Sequence, residues 1–189
     1  MPNGARQGPL CGAPAGGAGA GRVSPFPPHI RLVIFDADNT LRRVTVPGRV
    51  CPWGPEEWEP LPGIRAALCG LRWGAGGLLL GMASNQDQVF YGHLTADMAR
   101  RLLLDAAEAA TGHRPPDGAV RFCIHAMDAG CGCRKPEPGL LHEAMEFQGM
   151  DPGATLFVGD ADVDREAARR AGVAFLHVDD LLAGRQGAG

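Results

Sequence analysis

The chain has 189 residues, 45% of them hydrophobic and 21% charged, and a formal net charge of -3. That length suits one domain with a sizeable core, and the charge balance gives no broad footprint for nucleic acid or an anionic membrane. The apolar run at 78–83 is too short to span a bilayer.

Residues 1–28 are rich in Gly, Ala and Pro, the composition of a disordered tail, and lack the apolar stretch of a secretory signal. Residues 184–189 read as a frayed end, which leaves one domain over 29–183. Of the six cysteines, Cys123, Cys131 and Cys133 fall within eleven residues. That spacing points to metal rather than to a disulfide framework, and to a reducing, cytoplasmic setting.

In chain order, Leu32 to Phe35 is a short apolar run that suits a strand buried on both faces. It ends in Asp36 and Asp38, which point the same way in extended chain and converge on one small volume. The stretch 41–60, broken by Pro and Gly, reads as a hairpin or flap beside these acids, covered by Trp53 and Trp58. Pro62-Gly63 opens a helix to about Trp73. A second strand over 78–83 runs into Ser84-Asn85-Gln86, and Thr95 caps a helix to about Ala110. Arg100 and Arg101 on that helix take a solvated face.

Residues 120–124 form a third strand, followed by a cysteine-rich loop. A helix covers 139–148, a fourth strand 155–158, and another helix 163–171, with Asp162 at its start and Gly172 after its end. A fifth strand covers 173–178, and Asp179 caps a short last helix. Strands alternating with helices give an α/β, Rossmann-like parallel sheet of about five strands with helices on both faces.

Three strand ends then carry chemistry. Asp36 and Asp38 follow the first strand, Ser84-Asn85 the second, and Asp160, Asp162 and Asp164 the fourth. Several acids at one sheet edge suit Mg²⁺, a hard cation that prefers oxygen ligands. Ser84 can hydrogen-bond a phosphate oxygen, and Lys135 supplies a compact positive charge. In the loop, Cys123, His125, Cys131 and Cys133 make a tetrahedral set for Zn²⁺. Four protein ligands leave no open position, so the zinc is structural.

The stretches Phe35-Asp-Ala-Asp-Asn-Thr-Leu41, Met82-Ala-Ser-Asn-Gln86, Arg134-Lys-Pro136 and Val158-Gly-Asp-Ala-Asp-Val-Asp164 resemble the four motifs of the haloacid dehalogenase (HAD) superfamily of phosphatases. The resemblance covers about Arg31 to Leu182. It implies Asp36 as nucleophile and Asp38 as general acid and base. It further implies Mg²⁺ held by Asp36, the backbone carbonyl of Asp38, and Asp160, with Asp164 assisting. Phosphate falls to Ser84, Asn85 and Lys135, and the substrate to Arg134. The zinc loop ahead of Arg-Lys-Pro resembles the subgroup of histidinol-phosphate and D-glycero-D-manno-heptose 1,7-bisphosphate phosphatases.

That subgroup commonly has Arg between its two acids and Gly after them, where this chain has Ala37 and Asn39. Its heptose members usually follow Ser-Asn-Gln with Ser-Gly-Ile-Ala-Arg-Gly; this chain has Asp87-Gln-Val-Phe-Tyr-Gly92, with no Arg for a second phosphate. No stretch between motifs is long enough for a separate cap, so an open site is expected. A sugar phosphate, bisphosphate or other small phosphorylated metabolite leads as substrate. Histidinol phosphate and a polynucleotide 3′-phosphate end are the alternatives, and a zinc-containing binding protein without turnover is the reading from another class. His29, His93, His113, His142 and His177 are read as structural or surface residues.

Overall fold

The computed structural model describes residues 24–185. Its first strand, β1 (Leu32–Phe35), is buried along its whole length. Its side chains alternate between two cores: Val33 and Phe35 enter one, Leu32 and Ile34 the other. That two-sided burial is why the run is continuously apolar. After β1, strands β2 (Arg42–Val44) and β3 (Trp58–Pro60) pair antiparallel as the expected flap. Helix α1 (Ile64–Leu68) is shorter than the expected span to Trp73. Gly70, at φ 90°, turns the chain out of the helical region, and Trp73 instead bridges to Leu78.

Strand β4 (Leu79–Asn85) leads to α2 (Ala96–Thr111), where the Thr95 side chain accepts the N–H of Met98 as an N-cap. Then come β5 (Val120–Cys123), α3 (Gly139–Gln148), β6 (Thr155–Gly159), α4 (Asp162–Ala171), β7 (Ala174–His177) and α5 (Val178–Leu182). The main sheet has the order β5-β4-β1-β6-β7, and every pairing in it is parallel. Residues of α1, α2 and α5 join the core on one face, and those of α3 and α4 the core on the other. Chain order departs from β1 in both directions, so the crevice where ligands bind in such sheets opens beyond its C-terminal end. Asp36 and Asp38 sit there.

Four expectations need correction. The tail expected over 1–28 lies outside the described residues only as far as 23: Phe26 is buried in the core and meets Trp73 edge to face. Arg100 is not spent on solvent, because its Nη1 donates to the carbonyls of Asp117 and Val120 and its guanidinium lies over Phe122. The cap of α5 is His177, whose Nδ1 accepts the N–H of Asp179. Cys69, just after α1, is disulfide-bonded, at odds with the reducing setting expected from the cysteine spacing. Residues 186–189 of the expected frayed end lie outside the described residues. Among the described residues, no helix is long and apolar enough to cross a membrane.

Candidate active site

The β1 end brings Asp36 into an almost closed setting, 6% exposed, with its backbone N–H donating to Val158 on β6. Lys135, equally buried, sets its Nζ 2.6 Å from Asp36 Oδ1 and 2.6 Å from Asp164 Oδ1. Carboxylate oxygens of Asp36, Asp160 and Asp164 lie within 4.8 Å of one another. Burial pushes the Asp36 carboxyl up to about 7, with Lys135 opposing and Asp164 and Asp38 adding to the rise. Burial, then the charge of Asp164, likewise raises Asp160. Crowded acids with raised proton affinity and hard oxygen donors are what a divalent cation relieves, so the residues fit Mg²⁺.

Asp164 owes its place to α4 and to a glycine. Its Oδ2 accepts the N–H of Ala161 at 3.2 Å at the helix start. A Cβ on Gly159 would come 2.5 Å from that same oxygen, so only glycine leaves the carboxylate its room. Asp162, by contrast, is exposed at the first position of α4.

The side chain of Asp38 stands outside the three-acid cluster. Its carboxylate accepts two hydrogen bonds from Arg42, from Nε at 2.9 Å and Nη2 at 3.2 Å, and a third from Gln86 Nε2 at 3.1 Å. Arg42 is fully buried, and its Nη1 donates to the carbonyl of Leu102 on α2. Gln86 Nε2 also donates to Ser84 Oγ at 3.0 Å, which leaves the Ser84 hydroxyl proton free for another acceptor. Neither Arg42 nor Gln86 stood out in the sequence as a site residue.

Ser84 and Asn85 both line the cavity at this edge, but in different ways. The Asn85 amide is committed to the backbone of Lys135: Nδ2 donates to its carbonyl at 3.1 Å and Oδ1 accepts its N–H at 3.0 Å. Its side chain therefore holds the loop, and its second Nδ2 proton is left uncommitted at the cavity. Asn39 takes φ 60°, a conformation Asn tolerates better than other non-glycine residues, and its side chain hydrogen-bonds Asp160. His177 supports the same acid from below. Its Nδ1 accepts a backbone N–H, so its Nε2 carries the proton and donates to the Asp160 carbonyl at 2.9 Å.

The cavity has a volume of about 210 Å³ and is walled by Asp36, Asp38, Ser84, Asp87, Arg134 and Lys135, with Val50 and Cys51 of the flap at its side. Larger hollows of about 350 and 460 Å³ lie near the N-terminal ends of β1 and β4, without a carboxylate cluster. Chemistry, not size, picks out the site. The flap is pinned by a stack: Trp53 lies parallel to His93 at 4.0 Å, and the Arg49 guanidinium lies 3.7 Å from the Trp53 ring centroid.

Next to the cavity, Cys123, His125, Cys131 and Cys133 converge. The Cys123 and Cys131 sulfurs are 3.6 Å apart, those of Cys131 and Cys133 3.5 Å, and His125 Nδ1 is 3.5 Å from Cys123 and 3.2 Å from Cys133. A tetrahedron with Zn–S bonds of about 2.3 Å has S···S edges of about 3.8 Å, so the cluster has the size to hold zinc. Burial works against ionising Cys131. The Arg134 backbone N–H and the neighbouring thiols outweigh it and bring the group down to about 6.

Comparison with known proteins agrees with this geometry. The HAD-hydrolase-like family model matches residues 132–180, which hold the Arg-Lys-Pro segment, β6 and the acids that follow it. Fold, strand-end motifs and this match point to one class: the chain is similar to the HAD-like hydrolases. More particularly, it is similar to the D,D-heptose 1,7-bisphosphate phosphatase of B. bronchiseptica, solved with magnesium and phosphate. The TM-score is 0.61 and the identity 26%, over 77% of this chain and 79% of the other. A HAD-like phosphatase from Mesorhizobium loti shares the fold at a TM-score of 0.59 and 23% identity, covering 90% of this chain and 92% of its own. No curated protein sequence matches.

Proposed function

We propose that the chain hydrolyses phosphate monoesters of small metabolites through an aspartyl-phosphate on Asp36. The observation that carries this is the buried set of Asp36, Asp160 and Asp164 around Lys135, at the end of the central strand. Mg²⁺ would be held by Asp36, Asp160 and the Asp38 carbonyl, with Asp164 beside them; when bound it offsets negative charge on the transferring phosphoryl group.

The protein's own groups divide the work. An Asp36 oxygen attacks phosphorus, and the bond to the leaving oxygen breaks. Asp38 gives that oxygen a proton, then takes one from the water that cleaves the aspartyl-phosphate. Ser84 donates its free hydroxyl proton to a phosphoryl oxygen, and Lys135 balances the charge of the nucleophile. The zinc set holds the loop that carries Arg134 and Lys135.

The likeness to a heptose bisphosphate phosphatase favours a sugar phosphate. The cationic side chains lining the cavity are Lys135, which two carboxylates already hold, and Arg134. With Arg134 beside Asp87, no lining cation among the described residues is left for a second phosphate, so a monophosphate is preferred to a bisphosphate. The test is a screen of purified protein with Mg²⁺ against an aryl phosphate, sugar mono- and bisphosphates, histidinol phosphate and 3′-phosphorylated oligonucleotides. Turnover of the aryl phosphate and of sugar monophosphates is expected. Binding of these compounds without any turnover would move the chain to the non-catalytic class.

A further inference from the structure

Asp87 has no part in the scheme above, yet it lines the same cavity. It follows Ser84-Asn85-Gln86 directly, at the first turn of a short 3-10 helix, and is 8% exposed. A carboxylate there repels phosphate, so its presence needs another reason. Among the described residues its carboxylate has one polar partner, Arg134, with Nη2 to Oδ2 at 3.7 Å. That is close enough for an ion pair and too long for a hydrogen bond. On the Arg134 side, Nη1 is buried with no hydrogen-bond partner among the described residues.

A partly buried ion pair that makes no hydrogen bonds leaves its desolvation largely uncompensated. Both members face the same cavity with capacity unused: Asp87 can only accept, and Arg134 can only donate. One small group satisfies both at once. A hydroxyl donates its proton to Asp87 and accepts from Arg134; an ammonium could serve only the first, and a second phosphate only the other.

We propose that Asp87, paired with Arg134, is a specificity-determining residue that receives a hydroxyl of the leaving group, so that the substrate is a hydroxylated alkyl phosphate. This rests on the phosphatase reading and narrows it. Sites built to hydrogen-bond a substrate hydroxyl reject the analogue that lacks it, because their polar groups are then left unpaired.

The test compares kcat/KM for 2-hydroxyethyl phosphate, ethyl phosphate and 2-aminoethyl phosphate, with Mg²⁺ and an aryl phosphate as the common reference. The native protein should prefer the hydroxyl ester to the ethyl ester by about tenfold or more. In Asp87→Ala that ratio should fall toward one, and Asp87→Asn, which keeps an acceptor oxygen, should retain part of it. A native ratio near one, a ratio unchanged in Asp87→Ala, or a preference for the amino ester overturns the proposal. Should Asp87→Ala not fold, the native ratios alone decide. No turnover even of the aryl phosphate would instead count against the phosphatase reading itself.

Discussion

The side-chain amide of Asn85 is clipped across the main chain of Lys135, donating to its carbonyl and accepting its N–H. The clip joins the end of β4 to the loop that follows the Cys/His cluster, and it fixes where the Lys135 ammonium meets Asp36. Asn85→Ala leaves two backbone groups to find other partners, at about 1–3 kcal/mol. Thermal unfolding should report that loss. Steady-state kinetics on an aryl phosphate should show kcat/KM lower by as much as about 100-fold, since small misplacements of a positioning loop are costly. Unchanged kinetics would mean that Lys135 is held by other contacts.

Arg42 ties Asp38 to α2. Removing Arg42 leaves the partly buried Asp38 carboxylate without two of its three hydrogen bonds, at about 1–3 kcal/mol. Arg42→Met should therefore lower the unfolding midpoint and reduce kcat. Arg42→Lys, which keeps the charge but loses the two-pronged contact, should recover part of the stability and less of the turnover. If Arg42→Met matched the native protein in both respects, the proposed role of Asp38 would lose its support.

The Asp36 carboxyl stands at about 7, raised chiefly by burial. A raised acid favours the folded state while it is protonated. Its contribution is complete below the unfolded value near 3.8 and is lost as pH rises toward 7. The metal-free protein should thus lose stability from this group between those limits, and Mg²⁺ should restore more of it at pH 8 than at pH 5. Calorimetric unfolding with and without Mg²⁺ at both pH values measures this. A Mg²⁺ effect that is larger at pH 5 would contradict it.

The four-ligand loop should carry one zinc per chain. Its sulfur and nitrogen atoms have tetrahedral spacing, and structural zinc contributes directly to folding. Elemental analysis should find the metal, and Cys131→Ser should lower both zinc content and unfolding temperature. A zinc-free protein of equal stability would remove the metal from the account.

Much of the fold was legible because its signals are local. Apolar runs marked the strands, and Gly or Thr marked helix ends such as Gly172 and Thr95. The end of α1 was misread because Gly70 outweighs a helical pattern that continues past it. The acids and Ser84 could be picked out because they follow strands, and Lys135 because it stands in the Arg-Lys-Pro segment. What holds them could not. Arg42 reaches Leu102 across 60 residues and Asn85 reaches Lys135 across 50, so nothing in either neighbourhood announces the contact. His177 looked like a surface residue because its partner, the Asp160 carbonyl, belongs to the neighbouring strand's end.

The central claim is that Asp36 carries the phosphoryl group. The direct measurement is acid-quenched trapping of the protein during turnover of a ³²P-labelled ester with Mg²⁺, followed by peptide mapping. The account predicts an acid-stable, hydroxylamine-sensitive phosphoryl group on Asp36, and no label or turnover in Asp36→Asn of native fold. Turnover retained in Asp36→Asn, or label on another residue, would contradict it.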